Sequence, residues 1–294
     1  MKDQAERLRE LMRNKEKSRA ANKKAKVLAI TSGKGGVGKT NFAINLAISI
    51  KRLGHKVLVL DADLGLANVE ILTGTNAKYT ILDLILGRKS INEIINTGPE
   101  EIKLISGGSG LEELSVMEDE NIIRLIEELE RLESSIDFII IDTGAGISNL
   151  VTKFVMAADE VIIVTTPDPT SIMDAYTMIK TLINNGYESK LNVVTNMVNN
   201  KGEAITTFNK LNMAANNFLK TELNFLGFLE RSNLVSRAVK EQIPFILSNP
   251  RSTISKRINF MALKFVEPNN GVKMDKKDSF TSKLKNLLFK RGGY

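Results

Sequence analysis

The chain has 294 residues, 43% of them hydrophobic and 26% charged, a balance that can bury a core for one large domain or two small ones. It has no Cys and one His, which excludes a disulfide scaffold, a thiolate or multi-histidine metal centre, an iron–sulfur cluster and a cysteine nucleophile. The net charge of +7 is unevenly divided: residues 1–26 carry +6, residues 269–294 carry +5, and the stretch between them carries −4.

Residues 1–25 form a Lys/Arg/Glu-rich arm with Ala5, Leu8, Leu11 and Met12 at helical spacing behind Asp3 as a cap. Strands are predicted over Lys26–Thr31, Lys56–Leu60, Glu101–Ile105, Phe138–Asp142, Glu160–Thr166, Leu191–Asn196, Phe225–Phe228 and Pro244–Leu247. Helical patterns over Asn41–Leu53, Glu120–Leu132, Ser171–Asn184 and Ile205–Leu223 separate them. Runs such as Phe138–Ile141 and Val161–Val164 are apolar on both faces, as in a sheet covered on both sides. The succession predicts an α/β body over residues 26–267: a doubly wound, mostly parallel sheet with helices on both faces.

A polar linker, 268–278, leads to an amphipathic segment, 279–294. Phe280, Leu284, Leu287 and Leu288 follow i, i+4, i+7, i+8 and share one face, flanked by Lys283, Lys285 and Lys290. At roughly a dozen residues it is too short to cross a bilayer and suited to lying in the interface of an anionic membrane. The alternative is a terminal helix packed on its own body, which the polar linker disfavours. Both basic arms suit an anionic partner, or they serve only as solubilising tails. No apolar signal core or membrane span is present, so a cytoplasmic chain reversibly associated with the inner face of the cell membrane is expected.

The first strand runs into Ser32-Gly33-Lys34-Gly35-Gly36-Val37-Gly38-Lys39-Thr40, followed by a helical pattern from Asn41. Gly33-x4-Gly38-Lys39-Thr40 is a phosphate-binding loop in its strand–loop–helix setting. Its glycines let backbone N–H groups surround phosphate oxygens, and the following helix adds its positive end. Lys39 suits the β- and γ-phosphates of ATP, and the Thr40 hydroxyl suits Mg²⁺. Asp61 and Asp63 close a second apolar strand, and Asp142 closes Phe138–Ile141, at the end of a parallel sheet that faces a ligand crevice. His55, in a Gly-His-Lys turn, reads as a surface residue.

Lys34-Gly35-Gly36-Val37-Gly38-Lys39-Thr40 resembles the deviant Walker A motif of the MinD/ParA family of ATPases, a likeness that covers about residues 26–266. The resemblance implies a MinD-like P-loop fold and a homodimer that sandwiches ATP, with Lys34 reaching the partner's phosphates and Lys39 serving its own. It further implies that Asp63 orients the attacking water, that Asp61 and Asp142 sit at the metal with Thr40, and that Gly33–Asn41 cradle the nucleotide. Gly144 and Gly146 would lie in a switch loop. Thr195-Asn196-Met197-Val198-Asn199 resembles the family's adenine-recognition segment, which implies that Asn196 bonds the base edge; a turn-forming Asn is the alternative. Pro167 and Pro244–Pro250 are equally readable as base-pocket lining or as ordinary loop.

Asp3-Gln4-Ala5-Glu6-Arg7-Leu8-Arg9 resembles the activating element of the family's flagellar branch, FlhG (YlxH/FleN). There the element stimulates FlhF, a GTPase of the signal-recognition-particle type. The resemblance implies that Asp3, Gln4, Ala5, Arg7, Leu8 and Arg9 contact that GTPase, with Gln4 or Arg7 as the polar contributor. It implies a Mg²⁺-ATPase switch for flagellar number or placement, monomeric with ADP and dimeric and membrane-associated with ATP, with basal-body proteins as further partners. The rivals are a division-site MinD, a DNA-partition ParA and a non-hydrolysing adaptor. The apolar face at 280–288 favours lipid over nucleic acid.

Overall fold

Strands built on continuous apolar runs make the middle of the sheet. β2 (Val57–Ala62) and β5 (Phe138–Thr143) are buried at all six positions, and β1 (Lys26–Thr31) at all but its first. In this computed structural model the described residues are 24–63, 68–107, 119–144, 149–267 and 278–289. The arm residues Asp3 to Arg9, Gly146, Lys290 and the linker from 268 to 277 lie outside them.

The remaining strands are β3 (Ile95–Thr97), β4 (Lys103–Ile105), β6 (Glu160–Thr165), β7 (Lys190–Val198) and β8 (Asn224–Glu230). Their order is β3-β4-β2-β5-β1-β6-β7-β8, and every pair is parallel except β3 with β4. The chain leaves β1 for β2 on one side and later returns to β6 on the other, so the strand order reverses beside β1, where α/β sheets open their ligand crevice.

On one face lie α1 (Lys39–Arg52), α2 (Asn68–Thr73), α9 (Asn233–Glu241), α10 (Phe245–Ser248) and α11 (Thr253–Val266), around a core that includes Phe42, Ile48, Phe245 and Ile258. On the other lie α3 (Ile81–Ile85), α4 (Ile91–Ile94), α5 (Asp119–Glu133), α6 (Asn149–Ala157), α7 (Pro169–Asn184) and α8 (Lys201–Leu219). Side-chain caps fix several entries: Asp168, Asn200, Ser232 and Ser252 accept from the first turns of α7, α8, α9 and α11.

Pro244–Leu247 is not the expected strand. Pro244 opens α10, Ile246 donates its N–H to Asn45 Oδ1 at 2.9 Å, and Phe245 and Ile246 are buried beneath α1. A four-residue apolar run has no period long enough to separate a strand from a buried helical turn. β3, a three-residue antiparallel edge, is an element that sequence patterning did not anticipate, for the same reason of length.

The tail helix, α12 (Phe280–Phe289), is docked on the body between α5 and α6. Phe280 and Leu284 are fully buried, Leu287 and Leu288 are half-buried against the same core, and the Phe280 ring stacks on Phe154 at 6.3 Å. Burying two such side chains stabilises the docked position by about 1.5–3 kcal/mol each. The buried Glu133 carboxylate accepts from Phe280 N (3.2 Å) and Thr281 Oγ1 (2.9 Å), and Lys283 pairs with Asp159 at 3.0 Å. The alternative of a terminal helix packed on its own body is therefore what the structure shows: Phe280 and Leu284 are covered by the chain's own helices, and Leu287 and Leu288 partly so.

Candidate nucleotide site

The loop between β1 and α1 is shaped by two close approaches. A Cβ on Gly33 would lie 2.1 Å from the Asp174 backbone, and one on Gly38 would lie 2.5 Å from Asn196 Nδ2. Gly38 also has φ +91°, the left-handed region that an L side chain rarely adopts. Val37 anchors the loop in the core beneath α1, and Ser32 Oγ donates to Lys34 O at 2.6 Å. Lys39 opens α1, whose first turn holds no acidic residue, so the helix presents unopposed N–H groups to an anion. Burial lowers the Lys39 pKa, while Asp142 and Asp63 pull it back up.

Opposite the loop, Asp61 and Asp142 are register partners at the ends of β2 and β5, and both are buried. Burial pushes the Asp61 carboxyl up to about 8, with the neighbouring Asp142 adding to the rise. It pushes Asp142 up to about 7, held down in part by Thr40 and Lys39. Neither Asp142 oxygen has a partner in good hydrogen-bonding geometry. Two buried carboxylates side by side with Lys39 as their nearby cation, one of them with unpartnered oxygens, fit a hard divalent cation such as Mg²⁺. Thr40 stands beside them on α1.

Asp63 is half-buried, donates its N–H to Asp61 Oδ1 (3.0 Å) and accepts from Asn68 Nδ2 (2.9 Å). A Cβ on Gly144 would lie 2.9 Å from Asp63 Oδ1, so the segments after β2 and β5 abut. Thus Lys39, Thr40, Asp61, Asp63 and Asp142 converge at one end of the sheet, from two strand ends and one helix start.

Lys34 is not free. Its Nζ lies 2.8 Å from Asp168 Oδ2 and donates to Thr170 Oγ1. Asp168, just beyond β6, also accepts from Thr170 N at 2.9 Å and caps α7 ahead of Pro169. Lys34 and these Thr170 bonds hold the Asp168 carboxyl at about 2. Sequence reasoning reached Pro167 but missed Asp168 and Thr170. The signal was there, since Asp-Pro-Thr after a strand end next to β1 is a helix cap facing the crevice.

Asn196, expected at the base edge, is 9% exposed and turned onto the phosphate loop: Nδ2 donates to Val37 O at 2.7 Å, and Oδ1 accepts from Met197 N at 2.8 Å. His55 stays outside the site, edge-on to Phe138 at a ring distance of 5.3 Å.

A family model described as an AAA domain matches residues 25–194. The chain is 41% identical over 265 residues to the flagellum site-determining protein YlxH of Helicobacter pylori, covering 89% of this chain and 90% of that protein. It is 37% identical over 238 residues to the antiactivator FleN of Pseudomonas aeruginosa, covering 81% and 85%. The solved MinC:MinD cell division complex of Aquifex aeolicus superposes with a TM-score of 0.68 at 26% identity, over 87% of this chain and all of that one.

Proposed function

The chain belongs to the MinD/ParA family of P-loop ATPases, on the branch of YlxH and FleN, and from that membership we propose that it is an ATP-driven dimerising switch that regulates flagellar number or placement. The observation that carries the reading is the convergence of Lys39, Thr40, Asp61, Asp63 and Asp142 on a loop that also bears Lys34.

ATP would lie with its phosphates against the N–H groups of Gly35–Thr40, its charge met by Lys39. Thr40, Asp142 and Asp61 would hold Mg²⁺, directly or through water, and the ion would neutralise charge on the β- and γ-phosphates. Asp63, held by Asn68, would orient the water that attacks the γ-phosphorus as ADP leaves. Lys34 would leave Asp168 and meet the phosphates bound by a second copy, adding positive charge where negative charge shifts in the transition state. Pairing of two copies would thus complete each site.

Membrane binding would use Phe280, Leu284, Leu287 and Leu288, and it requires α12 to leave its seat on Phe154 and Glu133. Two released helices on a dimer would bind an anionic lipid surface with avidity that one lacks. The arm residues Asp3, Gln4, Ala5, Arg7, Leu8 and Arg9 would stimulate the GTPase FlhF.

The GTPase activity of the cognate FlhF, measured with a peptide of residues 1–25 and with its Gln4/Arg7 double-alanine form, tests this output. Stimulation by the first and not the second is expected. No stimulation by either overturns the GTPase partnership.

A further inference from the structure

We infer that Asn196 is a positioning residue for the phosphate loop, acting on phosphate affinity through Val37. The inference rests on the nucleotide-site reading above and changes what one of its residues does. β7 does not run true to its end. Its pairing with β8 slips between Val193 and Val194 and again between Thr195 and Val198, and Met197 sits at φ +56°. A long unbranched side chain in the left-handed region is held there by its surroundings, and such positions gather at working sites.

That break brings the Asn196 amide against the loop, 159 residues away in the chain. Both ends of the amide are engaged, Nδ2 by the Val37 carbonyl at 2.7 Å and Oδ1 by the Met197 N–H at 2.8 Å. A carbonyl at one end and an N–H at the other admit only one orientation of the amide. The carbonyl and N–H of a planar trans peptide point in opposite directions. Holding Val37 O on β7 therefore turns the N–H of Gly38 away from β7. The 2.5 Å gap between Asn196 Nδ2 and a Cβ built on Gly38 gives the same relation from the other side: the amide occupies the space that a side chain at 38 would need. Asn196 and Gly38 fit each other, and the strand irregularity is what makes the fit.

A group that fixes the loop acts on any ligand with phosphates, whether or not it carries a base. Calorimetric titration of the full chain and its Asn196→Ala variant with Mg²⁺-ATP, Mg²⁺-ADP and Mg²⁺ inorganic tripolyphosphate separates the two roles. Loss of one tether is expected to weaken all three by a similar factor, about five- to tenfold. ATP and ADP weakened with tripolyphosphate unchanged would make Asn196 a base reader and overturn the inference, as would no change in any ligand. Hydrogen exchange of the nucleotide-free proteins supplies a second readout. Faster exchange confined to residues 35–40 supports the tether, whereas faster exchange spread through β1 and β7 means a merely structural role and overturns it. A parent chain that binds no nucleotide would count against the ATPase reading, and loop exchange would still decide the tether.

Discussion

Lys34 and Asp168, 134 positions apart, meet at 2.8 Å beside the phosphate loop, with Thr170 accepting from the same ammonium. A lysine bonded within its own chain cannot at the same time reach a second copy, so the proposed ATP dimer must break this pair. Asp168→Asn is expected to move the ATP-dependent monomer–dimer balance toward dimer, read by light scattering. Lys34→Ala is expected to bind ADP as the parent does and to lose about a hundredfold or more in ATPase rate, the scale seen when a charge-stabilising donor is removed.

The pair is not a pH switch. Lys34 and Thr170 hold Asp168 at about 2, below the unfolded carboxylate value of about 3.9. A depressed carboxylate contributes stability that is fully present above the unfolded value and is lost as pH falls through the folded one. The Lys34 contact should therefore persist across the neutral range and dissolve only between about pH 4 and pH 2. Carboxyl NMR should place the Asp168 midpoint near 2 in the parent, and Lys34→Ala should raise it.

The buried pair at the proposed metal position has the opposite sign. Asp61 and Asp142 stand near 8 and 7, above their unfolded values, so their contribution is greatest in acid and declines as pH rises toward those values. Asp142→Asn keeps the shape without the charge. It is expected to raise the melting temperature of the nucleotide-free chain at pH 8 by roughly 2–6 °C and to abolish Mg²⁺-dependent hydrolysis. Scanning calorimetry and phosphate release check the two halves.

The tail offers a further check. Glu133 accepts from both Phe280 N and Thr281 Oγ1 at the start of α12, and all three residues are buried. Glu133→Ala strands those donors and should cost the docked state about 1–3 kcal/mol. More of the chain is then expected to pellet with anionic liposomes in ADP, while a variant lacking residues 279–294 should not pellet.

Much of this was legible in the residues. β1 runs over Lys26–Thr31, as its apolar run and the following Gly-rich loop predict, and Asp142 ends β5's apolar core as expected. The loop was readable because strand, glycines, Lys39 and helix are contiguous. What escaped was held by long-range contacts. Asp168 takes its role from Lys34, Asn196 takes its orientation from Val37 and a slipped strand pairing, and α12 is seated by Phe154 and Glu133. An amphipathic face states that something apolar must cover it, but its period does not distinguish lipid from the chain's own helices.

The most direct test of the central claim is sedimentation of the full chain with Mg²⁺-ATP and with Mg²⁺-ADP, beside Asp63→Ala and Lys34→Ala. The account predicts a monomer in ADP, a dimer in ATP that Asp63→Ala makes persistent, and no dimer for Lys34→Ala. An Asp63→Ala chain that stays monomeric in saturating ATP, or a Lys34→Ala chain that dimerises as the parent does, would contradict it.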